Sequence, residues 1–155
     1  VNDEIRSVAS QMLEIMRTED GIGLAAPQVG LGLRIFVCDV PQDPDEPEDE
    51  ALPSASNGPQ VYINPVISEP EGGVEPMSEG CLSLPDIRGD VIRPPVVTIT
   101  ALDETGAKVE RRAQGLLARC WQHELDHLDG VLILDRMTQA ARTKVKAAVR
   151  KLERG

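Results

Sequence analysis

The sequence predicts an α+β fold: mostly antiparallel sheets around a central helix carrying H-E-x-x-H, closed by a C-terminal helix. Three observations predict it. Apolar residues recur at helical spacing near both ends of the chain, and β-branched runs separated by turn residues fill the middle. The order helix, strands, helix, helix lacks the alternation of a repeating α/β fold. At 155 residues, a single domain spanning 1–155 is expected, long enough to bury a sizeable core.

The elements follow in order. Ile5, Val8, Ala9, Met12, Leu13 and Met16 form the buried stripe of a first helix, with Asn2 as its cap and Gly21 as its stop. Leu33 to Asp39 reads as a strand. Residues 41–60 hold five prolines and six acids with no basic residue, the composition of a solvated, mobile loop. Val61 to Val66 is a short strand interrupted by Pro65. Val91 to Leu102 is a longer one in which Pro94 and Pro95 predict a bend or an edge. Asp103-Glu104-Thr105-Gly106 is turn chemistry, and Ala107 to Glu110 resume as the returning arm of a hairpin. A second helix is expected from about Gln114 to Leu128, ended by Asp129-Gly130. Val131 to Leu134 is a brief apolar stretch. A last helix over 138–155 carries Ala141, Val145, Ala148 and Leu152 on one face and basic residues elsewhere.

Composition bounds the function. The apolar fraction is 41%, with one Trp, one Tyr and one Phe, so the core must be largely aliphatic. No apolar run approaches a membrane span, and the chain does not open with a basic-then-apolar signal. No membrane partner is therefore expected. Three cysteines without a C-x-x-C pair argue for a reducing compartment and a cytosolic-type protein. The net charge of −10 is uneven. Residues 136–155 carry seven basic side chains and one acid, the rest nine basic and 25 acidic. Such a body does not suit nucleic-acid coating or sequence-specific nucleic-acid binding, although the tail could touch a phosphate-rich surface.

The only two histidines stand four residues apart in His123-Glu124-Leu125-Asp126-His127. Residues i and i+4 share a helix face, so both imidazoles can reach one metal ion. Glu124 projects beside that ion and can take a proton from its water. A pair of surface histidines is the bland alternative, but it leaves the spacing around a glutamate unexplained. A catalytic site needs a third protein ligand and an open position. The H-E-x-x-H-x-x-G-x-x-H continuation has its glycine at Gly130 but would need a histidine where Ile133 stands. The downstream acids Asp129, Asp135 and Glu153 are poorly placed. Cys120 lies seven residues before His127, a rise of roughly 10.5 Å, and more naturally packs beside the site. Cys38 sits in an apolar strand and reads as core. Cys81, in Glu79-Gly80-Cys81-Leu82-Ser83-Leu84-Pro85, is the favoured third ligand, with a buried loop thiol as the competing reading. Glu79 is expected to support the site from behind, with Arg88 as its partner. Two nitrogens and a thiolate suit zinc, iron, nickel or cobalt.

Three segments together resemble the motifs of the peptide deformylase family: Gly21-Ile22-Gly23-Leu24-Ala25-Ala26-Pro27-Gln28, Glu79-Gly80-Cys81-Leu82-Ser83, and Gln122-His123-Glu124-Leu125-Asp126-His127. The likeness runs from the first helix to the basic tail, and Leu82 after the cysteine is similar to bacterial and plastid members, which implies a bacterial cytoplasm, or an organelle if a leader precedes the helix at which the chain begins. The resemblance implies a hydrolase of protein biosynthesis that removes the formyl group from N-formylmethionine on nascent peptides and releases formate. It implies that Cys81, His123 and His127 hold one divalent metal, Fe2+ in the cell with Zn2+, Ni2+ or Co2+ able to replace it on purification. Glu124 would carry the proton, while Gln28 and the Leu82 N–H would stabilise the oxyanion. Ile22 and Gly23 would line the peptide path, with Gly80 and Leu116 near the methionine pocket. The basic tail would dock on the ribosome surface. Two features depart from the family: no segment precedes the first helix, and the 41–60 loop is longer than is common. The rival readings are an endopeptidase with the same helix motif and a protein holding a structural metal. The second lacks a fourth ligand.

Overall fold

The computed structural model describes residues 1–154 apart from Pro47, Leu82 and Ser83, and does not describe the side chains of Cys81, Leu84, Pro85 and Asp86. Helix α1 spans Asp3–Thr18. Asn2 caps it as its composition predicts, its Oδ1 accepting the Ile5 N–H at 2.9 Å. Strand β1 (Gly23–Ala25) leads into a 3-10 turn (Ala26–Val29), and β2 covers Ile35–Cys38. Then come β3 (Gln60–Glu71), β4 (Glu75–Cys81), β5 (Leu84–Arg93), β6 (Val96–Leu102) and β7 (Lys108–Gln114). Helices α2 (Gly115–Leu128), α3 (Ile133–Arg136) and α4 (Gln139–Glu153) complete the chain.

An antiparallel sheet of order β1-β2-β3-β6-β7 forms the body. Strand β2 is buried on both faces, so all four of its residues are apolar. Ile35 and Val37 pack with Val61 and Ile63 against Met12 and Met16 of α1. Phe36 and Cys38 point to the other face and pack with Tyr62 and Ile99 against Trp121 of α2. The only three aromatic residues therefore meet: ring centroids are 5.1 Å apart for Phe36–Tyr62 and 5.7 Å for Tyr62–Trp121. Burying a side chain such as Met12 or Phe36 stabilises by roughly 1.5–3 kcal/mol. This arrangement makes α2 the central helix, held over the sheet by its own apolar face.

Several elements differ from expectation. Strand β3 runs to Glu71 because Pro65 falls at a register shift between Ile63 and Val66, where Asn64 adopts φ +52°. The expected strand over 91–102 is two strands in two sheets. Neither Pro94 nor Pro95 can donate to a ladder, and the chain crosses between sheets there. The β4–β5 hairpin forms a second, two-stranded sheet that the sequence reading missed. The described residues of 41–59 form no helix or strand, but the loop is not solvated throughout. Ser54, Ala55 and Ser56 are buried, the Val40 N–H donates to Ser56 Oγ at 2.7 Å, and Gln114 Nε2 donates to the Leu52 carbonyl at 2.8 Å.

The last helix also differs in its face. Thr138 caps α4 through the Ala141 N–H at 3.1 Å. Ala141, Val145 and Val149 are the residues that pack, on Ile87, Val91 and Met137. Ala148 is exposed and Leu152 is 43% exposed. By spacing Ala148 and Leu152 share that side of the helix, so their exposure marks where the body stops covering α4. The β6–β7 hairpin is as read, with Asp103 Oδ1 accepting the Thr105 N–H at 2.8 Å and the Ala107 N–H at 3.1 Å.

Candidate active site

Helix α2 begins where β7 ends, at Gly115, whose φ of +57° favours glycine. The Glu46 carboxylate of the acidic loop occupies the space where a Gly115 side chain would stand. From that start, the helix carries Leu116, Arg119, Cys120, His123 and Glu124 along one wall of a cleft of about 640 Å³. Ile22, Gly23 and Gln28 from the β1 segment line a second wall. Glu79 and Gly80 of β4, with Ile87 and Arg88 of β5, line a third.

The two histidines converge. His123 Nε2 and His127 Nε2 are 3.2 Å apart, with ring centroids 4.9 Å apart and planes at 64°. Two nitrogens bound to one tetrahedral ion at roughly 2.0–2.1 Å would stand roughly 3.3 Å apart, so the pair fits a shared metal. His123 Nδ1 meets Glu79 Oε1 at 3.0 Å, which orients the ring so that its Nε2 is the nitrogen turned towards His127. Among the described residues, no cluster of three His, Cys, Asp or Glu stands ready to hold a metal. The side chain of Cys81, the expected third ligand, lies outside the described residues, as does Leu82, the expected backbone donor.

Glu124 is 4% exposed and sits against β1. A Cβ on Gly23 would come within 2.6 Å of Glu124 Oε2 and 2.9 Å of Cys120 Sγ, so a glycine there lets the strand backbone lie against the carboxylate. Gln28 Oε1 accepts the Ala25 N–H at 2.8 Å. That bond assigns the amide oxygen, so a role in the cleft belongs to the NH₂ end. Cys120 is 5% exposed and its Sγ lies 3.7 Å from the Ile22 carbonyl. A hydrogen bond with Cys38, reinforced by burial, holds the Cys120 thiol well above its ordinary pKa, as an inert packing group.

Glu79 has different partners from the one expected. It pairs with Arg93 (Nε–Oε2 2.8 Å, Nη2–Oε1 3.0 Å), Arg119 (Nη1–Oε2 2.7 Å) and His123; Arg88 donates instead to the Ser78 carbonyl at 3.4 Å. Arg93 also reaches Asp126 Oδ2 at 2.8 Å. Burial pushes the Glu79 carboxyl up, but the hydrogen bonds from His123 and Arg93 outweigh it and bring its pKa down to about 2. Arg93, Arg119 and Asp126 were not singled out from the sequence. A usable signal was there: an arginine inside Val91-Ile92-Arg93 and another inside Leu117-Ala118-Arg119-Cys120-Trp121 interrupt apolar runs, and a buried charge requires a partner.

An α+β body with an H-E-x-x-H helix on its sheet, glycine-lined strand opposite and a carboxylate behind the first histidine is the frame of a hydrolase. The polypeptide deformylase family model matches residues 1–143. Peptide deformylase 2 of Gloeobacter violaceus is 50% identical over 137 residues, covering 88% of this chain and 68% of that protein. Peptide deformylase of Rhizorhabdus wittichii is 41% identical over 154 residues, 99% of this chain and 84% of its relative. Among solved structures, peptide deformylase from Ehrlichia chaffeensis superposes with a TM-score of 0.87 at 37% identity, covering 99% of this chain and 86% of that one. The Synechococcus elongatus enzyme in complex with actinonin gives 0.82 at 42% identity, covering 98% and 76%. The chain spans about two thirds of some cyanobacterial relatives, 64% for one from Synechococcus. The chain belongs to the polypeptide deformylase family of enzymes.

Proposed function

We propose that this chain removes the formyl group from N-formylmethionine at the start of nascent polypeptides and releases formate. The observation that supports this most is the convergence of the two imidazole nitrogens at 3.2 Å beside a buried glutamate in an open cleft. Cys81, His123 and His127 hold one divalent metal, ferrous iron in the cell, with zinc, nickel or cobalt able to substitute. Such an ion supplies Lewis-acid polarisation and a water acidified towards neutral pH.

The chain's own residues do the rest. Glu124 accepts the proton of the attacking water and hands it to the departing amine nitrogen as the C–N bond breaks. Gln28, through its NH₂ end, and the Leu82 N–H donate to the oxygen on which charge develops. Ile22 and Gly23 bound the space around the formyl carbon, so a larger acyl group clashes with them. Leu116 and Gly80 line the methionine side chain's course. The location is cytoplasmic, and the basic face of α4 docks on ribosomal RNA near emerging chains.

Formate release and metal content test this together. The wild type should release formate from a formyl-Met tripeptide but not acetate from its acetyl analogue. Glu124→Gln should keep the metal and lose at least ~10²-fold in turnover. Cys81→Ala should lose the metal. Cleavage of an unformylated internal peptide bond would favour the endopeptidase, and equal metal loss in both variants would overturn the assigned roles.

A further inference from the structure

Arg136 stands outside the cleft, yet a continuous series of ion pairs joins it to a histidine of the site. Its Nη2 meets Asp126 Oδ1 at 3.1 Å and its Nε meets Oδ2 at 3.3 Å. Asp126 Oδ2 accepts from Arg93 Nη1 at 2.8 Å. Arg93 then grips both oxygens of Glu79, at 2.8 and 3.0 Å, and Glu79 Oε1 meets His123 Nδ1 at 3.0 Å. Arg93 and Asp126 are buried, and the Glu79 side chain is 10% exposed, whereas the Arg136 side chain is 48% exposed.

The geometry makes these links interdependent. Asp126 Oδ2 lies between two guanidinium groups, so loss of one lets the carboxylate turn towards the other. Arg93 is the only residue among those described that bonds both Asp126 and Glu79, and its planar fork cannot follow one without moving on the other. Arg136 is itself held: the Thr138 N–H donates to the Asp90 carbonyl at 3.0 Å, and Met137 bridges Val91 on β5. The segment between α2 and α4 is thus tied to the same hairpin that carries Glu79.

We propose that Arg136 is a positioning residue for the metal site, setting the orientation of the His123 imidazole through Asp126, Arg93 and Glu79; this rests on the metal reading given above. Outer partners of a metal-bound histidine typically change metal affinity by about 10–100-fold, and Arg136, further out, belongs at the low end. The test is cobalt titration of the full-length, metal-free wild type, Arg136→Gln, Arg136→Lys and Lys146→Gln. Affinity is read by competition with a chelator, geometry by the visible bands of the bound cobalt, and folding by the metal-free melting temperature. Lys146→Gln removes the same charge from exposed α4, away from the series. Arg136→Gln should weaken cobalt binding about tenfold and shift the bands while melting close to wild type. Arg136→Lys, with the charge but no fork, should fall between, and Lys146→Gln should match wild type. Wild-type affinity and bands in Arg136→Gln would overturn the proposal, as would equal weakening in Lys146→Gln. A wild type that binds no cobalt would overturn the metal reading itself, and the proposal with it.

Discussion

Glu79 shows how one side chain couples structure to chemistry. Its folded pKa of about 2 lies below its ordinary 4.5, so its ionisation contributes stability above pH 4.5 that disappears as the pH falls through about 2. A shift of that size corresponds to about 3 kcal/mol. In metal-free protein, the stability gap between wild type and Glu79→Gln should therefore be large at pH 6 and close progressively between pH 4.5 and 2. Denaturation curves that stay parallel across that window would show that the carboxylate contributes nothing through its charge. The candidate residues His123, Glu124 and His127 were legible in the sequence because helical spacing brings them together within about one turn. Arg93, Arg119 and Asp126 were not legible as a group: Glu79 pairs with Arg93 and Arg119 across 14 and 40 residues, Asp126 with Arg93 across 33, and no local period links them.

At the scale of elements, legibility followed the strength of the local pattern. Helices α1 and α2 read clearly, since the stripe and Asn2 cap of α1 and the Asp129-Gly130 stop of α2 are local properties. The β4–β5 hairpin did not: Glu-Pro-Met-Ser-Glu-Gly-Cys has neither alternation nor β-branched residues, and its pairing with β5 is a tertiary outcome. That hairpin in turn seats α4. A Cβ on Gly89 would lie 3.0 Å from Met137 Cε and 3.2 Å from Ala141 Cβ. Met137 is flexible and can yield to one methyl, but a branched side chain must lift the helix. Gly89→Val should destabilise by about 1–3 kcal/mol and hasten proteolytic cutting within 138–154, while Gly89→Ala remains near wild type. Undiminished protection in the valine variant would mean that α4 docks without this contact.

The whole molecule is electrostatically divided. The net charge is −10, yet the last 20 residues carry seven basic side chains and one acid. The family match ends at residue 143, so most of those cations lie beyond the matched part. They stand on the exposed flank of α4, whose packed face is Ala141, Val145 and Val149. An acidic body would be repelled by RNA phosphate without such a handle. Removing residues 144–155 should weaken co-sedimentation with ribosomes, more so as salt falls, while turnover of a free formyl-Met tripeptide stays near normal. Unchanged co-sedimentation at low salt would return the tail to the part of a solvated face.

The crossing at Pro94-Pro95 has a consequence for the order of events during refolding. Strands β3 and β6 are hydrogen-bonded neighbours, with Glu71 opposite Val96, although 24 residues intervene and the hairpin they contain belongs to the other sheet. The five-stranded sheet and the two helices on its faces thus form a closed apolar unit without the hairpin. Closing a 24-residue excursion costs little extra chain entropy whether or not the hairpin has formed. Burial of Trp121, the only tryptophan, should then be recorded early in stopped-flow fluorescence, and capacity to bind metal should return in a later phase, once Glu79 reaches His123. Coincident recovery of both signals at every denaturant concentration would show a single cooperative step instead.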